Sequence, residues 1–151
     1  MAGRSVEHAT AERAQPQTEG RDRAAVERVR PEIDSGRFPI KRIVNDIVTV
    51  EADVFADGHG RVFCQLLYRE HGEEWSRAPM EPLGNDRWRG EFLVSSLGRY
   101  EYTVEGWTDP RFVTRYGTNL GVTVDRPKAR FSSWYEVFPR SSSPEPGRHG
   151  T

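Results

Sequence analysis

The chain has 151 residues, 35% hydrophobic and 30% charged, and its 22 basic and 23 acidic side chains leave a formal charge of −1. That length points to one domain, and so even a balance excludes the basic face with which a nucleic-acid binder displaces phosphate counterions. A single cysteine, Cys64, excludes an internal disulfide or a multi-thiolate zinc site and fits a reducing, cytoplasmic setting, and no run of about 18 apolar residues offers a membrane span.

Apart from Met1, residues 1–25 hold one large apolar side chain, Val6, too little buried surface to offset ordering entropy, so a disordered tail is expected there. Apolar content rises from Val26 through Val29, Ile33, Phe38 and Pro39 to Val44, which reads as an opening strand and a proline-restrained loop. From Ile47 the run IVTVEADVF alternates, setting Val48, Val50, Ala52 and Val54 on one face against Thr49, Glu51 and Asp53 on the other. Asp57, Gly58, His59 and Gly60 supply turn chemistry, and RVFCQLLYR resumes the extended pattern, so a hairpin is expected. In its second arm Val62, Cys64, Leu66 and Tyr68 share one face while Phe63 and Leu67 occupy the other, as in a central strand covered on both sides.

A short strand from Trp75 to Met80 and a turn at Gly84, Asn85 and Asp86 come next. RWRGEFLV then places Trp88, Gly90, Phe92 and Val94 opposite Arg87, Arg89 and Glu91, and YEYTVEGW places Tyr100, Tyr102 and Val104 opposite Glu101, Thr103 and Glu105. The alternation breaks at Thr108, Asp109 and Pro110; one helical turn is expected over 111–116 and a further strand over 120–125. Short strands at near-regular spacing, punctuated by Gly, Asn and Asp, predict an all-β fold, an immunoglobulin-like antiparallel β-sandwich with a disordered N-terminal tail and an extended C-terminal segment. The expected divisions are a tail over 1–25, the sandwich over 26–108, a connector with one strand over 109–128, and a final segment over 129–151.

Little in this pattern carries catalysis. His8, His59, His71 and His149 form neither an i, i+4 pair nor an HExxH arrangement, so no metal site is expected. GHGRVF lacks the third glycine and the helix of a phosphate-binding fingerprint, and no Walker-type lysine or other cofactor motif occurs. Cys64, among Phe63, Leu66 and Leu67, reads as packing rather than as a nucleophile. Glu101, Glu105 and Asp53 sit on polar strand faces, and nothing in their spacing selects a catalytic pair. The four tryptophans remain, since flat aromatic rings stack on the C–H faces of sugars. Trp88 is in register with Phe92 and Val94 and is expected to be buried; Trp107, on the side of Glu105 and Thr103, and Trp75 are the candidate carbohydrate contacts.

The stretches RPEIDSGRFPIKRIVND, VTVEADVFADGH, PMEPLGNDRWRGEF and LGRYEYTVEGWTD resemble, in order, the amino-terminal domain of the bacterial maltosyltransferases that use maltose 1-phosphate. VDRPKARFSSWYEVFPRSSSPEPGRHGT resembles the segment by which those enzymes enter their catalytic barrel. The resemblance implies a retaining transferase of the alpha-amylase superfamily that extends α-1,4-glucans from maltose 1-phosphate in glycogen-like polymer synthesis, and a homodimer to which the sandwich contributes. It also implies an internal deletion, because EGWTD runs almost directly into PRFVTRYG where the family carries a long, largely helical insertion. The family's catalytic residues lie beyond the strings matched here, so none is carried onto this sequence. The expectation is therefore a non-catalytic scaffold or dimerisation domain, with a stand-alone α-glucan-binding sandwich as the alternative. Phe131, Trp134, Tyr135 and Phe138 are too much aromatic surface to leave in water and are the candidate interface residues.

Overall fold

A computed structural model describes residues 23–130. The expectations for the tail over 1–22, for His8 and His149, and for Phe131, Trp134, Tyr135 and Phe138 lie outside the described residues. In chain order the strands are β1 (Ala25–Arg30), β2 (Ile40–Ile43), β3 (Ile47–Phe55), β4 (Phe63–Glu70), β5 (Ser76–Pro79), β6 (Glu81–Gly84), β7 (Arg87–Leu93), β8 (Gly98–Trp107), β9 (Thr114–Arg115) and β10 (Leu120–Asp125). A single 3-10 turn, Pro127–Arg130, follows them.

The strands form two sheets, one of four strands in the order β1-β3-β7-β6 and one of six in the order β2-β10-β8-β4-β5, with β9 alongside the far end of β8. The alternation read from the sequence decides which faces meet. Val48, Val50, Ala52, Val54, Phe92 and Val94 of the first sheet are buried against Cys64, Leu66, Tyr102, Val104, Leu120, Val122 and Val124 of the second. Each valine or leucine withdrawn from water in this way stabilises by about 1.5–3 kcal/mol, so one slipped register would turn the whole set outward. At the centre Phe92 bridges the sheets, its ring 4.8 Å from that of Tyr68 and 5.7 Å from that of Tyr102. Tyr102 is fully buried and donates its hydroxyl hydrogen to the carbonyl of Pro31; burial pushes the phenol well above its usual pKa.

Two glycines let the sheets approach this closely. A Cβ on Gly106 would lie 2.5 Å from Val54 Cγ1, and one on Gly90 would lie 2.9 Å from Met80 Cγ. Met80 is also where the chain changes sheets, a single buried residue between β5 and β6. Asn85 and Asp86 close the β6–β7 hairpin with φ of 50° and 62°, the positive pair that a two-residue type I′ turn requires.

Three details depart from the sequence reading. The first concerns β3 and β4, which were expected to pair as a hairpin: β3 instead pairs β1 and β7, and β4 pairs β5 and β8. The link over 56–62 thus crosses from one sheet to the other. Alternation marks which side of a strand is apolar but not whether the next strand lies beside it or across the core from it. Second, β2 runs parallel to β10, one parallel pair in an otherwise antiparallel sandwich, because β2 reaches the sheet through the 31–39 loop and not through a hairpin. Third, the helical turn expected over 111–116 is a tight turn followed by β9, which pairs Arg115 with Glu105 and Thr114 with Gly106. Trp88 packs against the core half-buried, its indole N–H donating to the Val54 carbonyl at 3.2 Å.

Candidate functional site

The same register that turns Tyr100, Tyr102 and Val104 inward turns Glu101, Thr103, Glu105 and Trp107 onto the outer face of the six-stranded sheet. Antiparallel pairing sets Gln65 opposite Glu105, Leu67 opposite Thr103 and Arg69 opposite Glu101. It also sets Phe63 opposite Trp107. On the far side of β4, Arg77 of β5 is opposite Leu67, so Trp75, two residues before it, enters the same face. Both sequence-predicted tryptophans therefore stand on one surface, yet they do different things there.

Trp75 is half-buried and lies between two guanidinium groups, Arg69 at 4.3 Å and Arg115 at 5.7 Å from its ring centroid. Those arginines flank the Leu67–Thr103 pair on β4 and β9, which places the ring across that pair. Leu67 and Thr103 are accordingly buried, although alternation alone assigns Thr103 to a wet face. The arginines are held in turn by carboxylates. Arg69 Nη2 is 2.8 Å from Glu101 Oε2, and Arg115 Nη2 is 2.6 Å from Glu105 Oε1. Gln65 donates from Nε2 to the other Glu105 oxygen at 2.9 Å. Beneath this cover the hydroxyl of Thr103 has no hydrogen-bond partner, a group whose desolvation costs about 1–3 kcal/mol when unmatched. One face of Trp75 is thus occupied by a cation–π contact, and the ring acts as the roof of a small second core.

Trp107 is half-buried like Trp75 but has an aromatic neighbour instead of two guanidinium groups. It forms an offset-stacked pair with Phe63, ring centroids 6.2 Å apart and planes within 17°. Phe63 is 41% exposed, and the guanidinium of Arg61 lies 5.4 Å from its ring centroid. The sequence reading put Phe63 on the face opposite Cys64 without seeing its partner. What it lacked was the β4–β8 register, which no local pattern encodes.

Among the described residues no acid, base or nucleophile is poised elsewhere. Burial pushes the Cys64 thiol up to about 12, far from a reactive thiolate. Tyr116 donates to Glu32 Oε2 at 2.7 Å, and that bond, with burial, raises its hydroxyl to about 12. Asp53 is buried on the outer face of the other sheet, between Arg87 Nη1 at 2.9 Å and the guanidinium of Arg28. The bond to Arg87 leads in holding its carboxyl below the usual range. Asp53 and Glu105 therefore face opposite sides of the sandwich and cannot converge on one bond. Among the described residues there is no group of three or more His, Cys, Asp or Glu side chains placed to hold a metal, and no helix is long and apolar enough to cross a membrane.

Comparison with known proteins agrees with the strings read from the sequence. The family described as alpha-1,4-glucan:maltose-1-phosphate maltosyltransferase, domain N/S, matches residues 22–120. A relative from Chlorobaculum tepidum named alpha-1,4-glucan:maltose-1-phosphate maltosyltransferase is 34% identical over 212 residues, taking in 88% of this chain and 32% of its own. A second of the same name, from Methylacidiphilum infernorum, is 28% identical over 211 residues, with 88% and 32% covered. A third, from Picrophilus torridus, is 41% identical over 97 residues, with 64% and 15% covered. The chain thus spans about a third of the length of the first two. A 212-residue match that takes in 88% of a 151-residue chain also means that the relative carries residues inside the matched region that this chain lacks. At the place where the sequence puts such a shortening, the chain turns tightly: Phe112 N–H donates to the Asp109 carbonyl at 2.9 Å, and Arg111 Nε bonds the Asp109 carboxylate at 3.0 Å. With 22–120 matched and the sandwich in place, this chain belongs to the alpha-1,4-glucan:maltose-1-phosphate maltosyltransferase domain N/S family.

Proposed function

We propose that this chain is the non-catalytic amino-terminal sandwich of a maltosyltransferase, a scaffold and dimerisation domain working in the cytoplasm. The enzyme it serves transfers maltosyl units from maltose 1-phosphate to α-1,4-glucan in glycogen-like polymer synthesis. The observation that carries this reading is the fate of the buried carboxylates. Retaining glycosyl transfer needs two carboxyl groups about 5–5.5 Å apart across the scissile bond. Here Asp53 and Glu105 are each bonded by arginine and lie on opposite faces of the sandwich. The 26–108 sandwich takes in β9 and β10 of the expected 109–128 connector, since both pair β8; the segment over 129–151 goes with the same proposal, leading toward the barrel and offering Phe131, Trp134, Tyr135 and Phe138 as contacts.

The test is a phosphate-release assay with maltose 1-phosphate and glycogen, using the purified 151-residue chain, together with sedimentation equilibrium. No release and a dimer are expected; maltosyl transfer by the chain alone would overturn the scaffold reading, and a monomer would remove its dimerisation role. A second reading, in which the outer face of the six-stranded sheet binds α-glucan, is favoured by the aromatic surface gathered there, Trp107 with Phe63.

A further inference from the structure

We infer that the offset-stacked Phe63–Trp107 pair, with Arg61 and Gln65 at its rim, is an α-1,4-glucan binding platform, and that Trp75 is not part of it. The inference rests on the glucan-binding reading above and assigns it to particular side chains.

Trp75 is excluded by its neighbours. A sugar would have to displace the Arg69 guanidinium 4.3 Å from the ring centroid, and so break the 2.8 Å pair between Arg69 and Glu101. The Phe63–Trp107 pair meets a weaker obstacle: the exposed Arg61 guanidinium over Phe63 is farther off, 5.4 Å from the ring centroid. Phe63 is 41% exposed, and the planes of the two rings lie within 17° of each other. Offset stacking leaves part of each ring face uncovered, so two roughly parallel apolar faces stand next to each other on adjacent strands.

The rim supplies what a sugar needs beyond apolar contact. Phe63 and Gln65 are neighbours on one face of β4, and their cross-strand partners are Trp107 and Glu105. The Gln65 amide thus borders the rings, held in place by the buried Glu105 carboxylate, whose oxygens are bonded by Gln65 and Arg115. Gln65 donates one N–H to Glu105, and a side-chain amide has a second N–H and a carbonyl oxygen besides. Arg61, exposed and with its guanidinium over the Phe63 ring 5.4 Å from the centroid, adds N–H donors beside that ring. Pyranose rings present C–H groups on their faces and hydroxyls around their edges, which is the pattern of this surface. A protein anchor, by contrast, is held by a desolvated pocket, and two offset rings on an open sheet do not form one.

Isothermal titration of the 151-residue chain with maltoheptaose tests this. Saturable binding is expected, weakened about 10-fold or more by Phe63→Ala and by Trp107→Ala, restored by Phe63→Tyr, and unchanged in Trp75→Ala. Because Phe63 is exposed, Phe63→Ala should melt close to the unaltered chain, which separates lost binding from lost fold. Binding that survives Phe63→Ala and Trp107→Ala but fails in a folded Trp75→Ala would overturn the platform and keep the glucan-binding reading. No binding by the unaltered chain would overturn both and leave the scaffold reading untouched.

Discussion

On the outer face of the four-stranded sheet, charge meets charge in successive ranks. Glu51 lies between Arg89 Nη2 at 2.9 Å and Arg87 Nε at 3.2 Å, Asp53 takes Arg87 and Arg28, and Thr49 reaches Glu91 at 3.3 Å. On the outer face of the six-stranded sheet the carboxylates are equally well paired, but the arginines that hold them also grip an indole, and apolar surface is buried beneath. On the first face most of the pairs are partly exposed, and each contributes only modestly in that high-dielectric setting. The second excludes water locally. One sandwich thus carries an ionic side and a semi-dry aromatic side, and the difference predicts how each responds to mutation.

Trp75→Ala should have the largest effect. It uncovers Leu67 and Thr103 and releases Arg69 and Arg115 from the ring, and for a half-buried indole the cost is about 2–3 kcal/mol. A urea titration followed by circular dichroism would read it as a lower midpoint with little change in slope. A loss below about 0.5 kcal/mol, the size of an ordinary surface substitution, would mean that the second core does not exist.

Asp53→Asn comes next, and it probes the ionic side at its driest point. Asp53 is buried, and its neutral replacement leaves Arg87 without its closest anionic partner, a loss of about 1–3 kcal/mol for a hydrogen bond to a charged group. The sign of the accompanying pH effect follows from its lowered pKa, with Glu51 lowered likewise, its bond to Arg89 first among the causes. Carboxyls held below their unfolded values stabilise the fold fully above about pH 4–5 and lose that contribution as pH falls through their folded values. Acid titration of the unaltered chain should therefore show stability draining below about pH 4, with a smaller drop in Asp53→Asn.

These two faces also mark how far the sequence could be read. On the ionic side each polar face was legible, since IVTVEADVF and RWRGEFLV alternate, but the pairing of Thr49 with Glu91, Glu51 with Arg89 and Asp53 with Arg87 across β3 and β7 was not. The aromatic side was legible only in outline. Alternation placed Trp107 and Thr103 together on a polar face, yet it could not report that Trp75, from another strand, lies across Thr103, or that Phe63 stands beside Trp107. Both facts depend on which strands are neighbours, and neighbour relations are set by the whole topology. The expected β3–β4 hairpin failed for the same reason, since the local signals of an inter-sheet link and of a hairpin turn are alike. Family resemblance carried the family, because long strings in order identify relatives, but it did not foretell which strands are neighbours.

Thr103→Val sharpens the comparison in the opposite direction, with a smaller and stabilising effect. A threonine on a solvated strand face would lose nothing and gain nothing by the exchange. Thr103 is fully buried, however, and its hydroxyl has no hydrogen-bond partner. Replacing that hydroxyl by a methyl group keeps the β-branched shape and removes a desolvated polar atom, a change that is near neutral or favourable where no partner is left behind. A gain of about 0.5–1 kcal/mol is expected, within the range of common stabilising substitutions, and seen as a higher urea midpoint. The matching exchange on the ionic side, Thr49→Val, removes an exposed hydroxyl 3.3 Å from Glu91 and should shift stability by less than about 0.5 kcal/mol. Equal responses at the two threonines would mean that both faces are wet, and the distinction between them would fall.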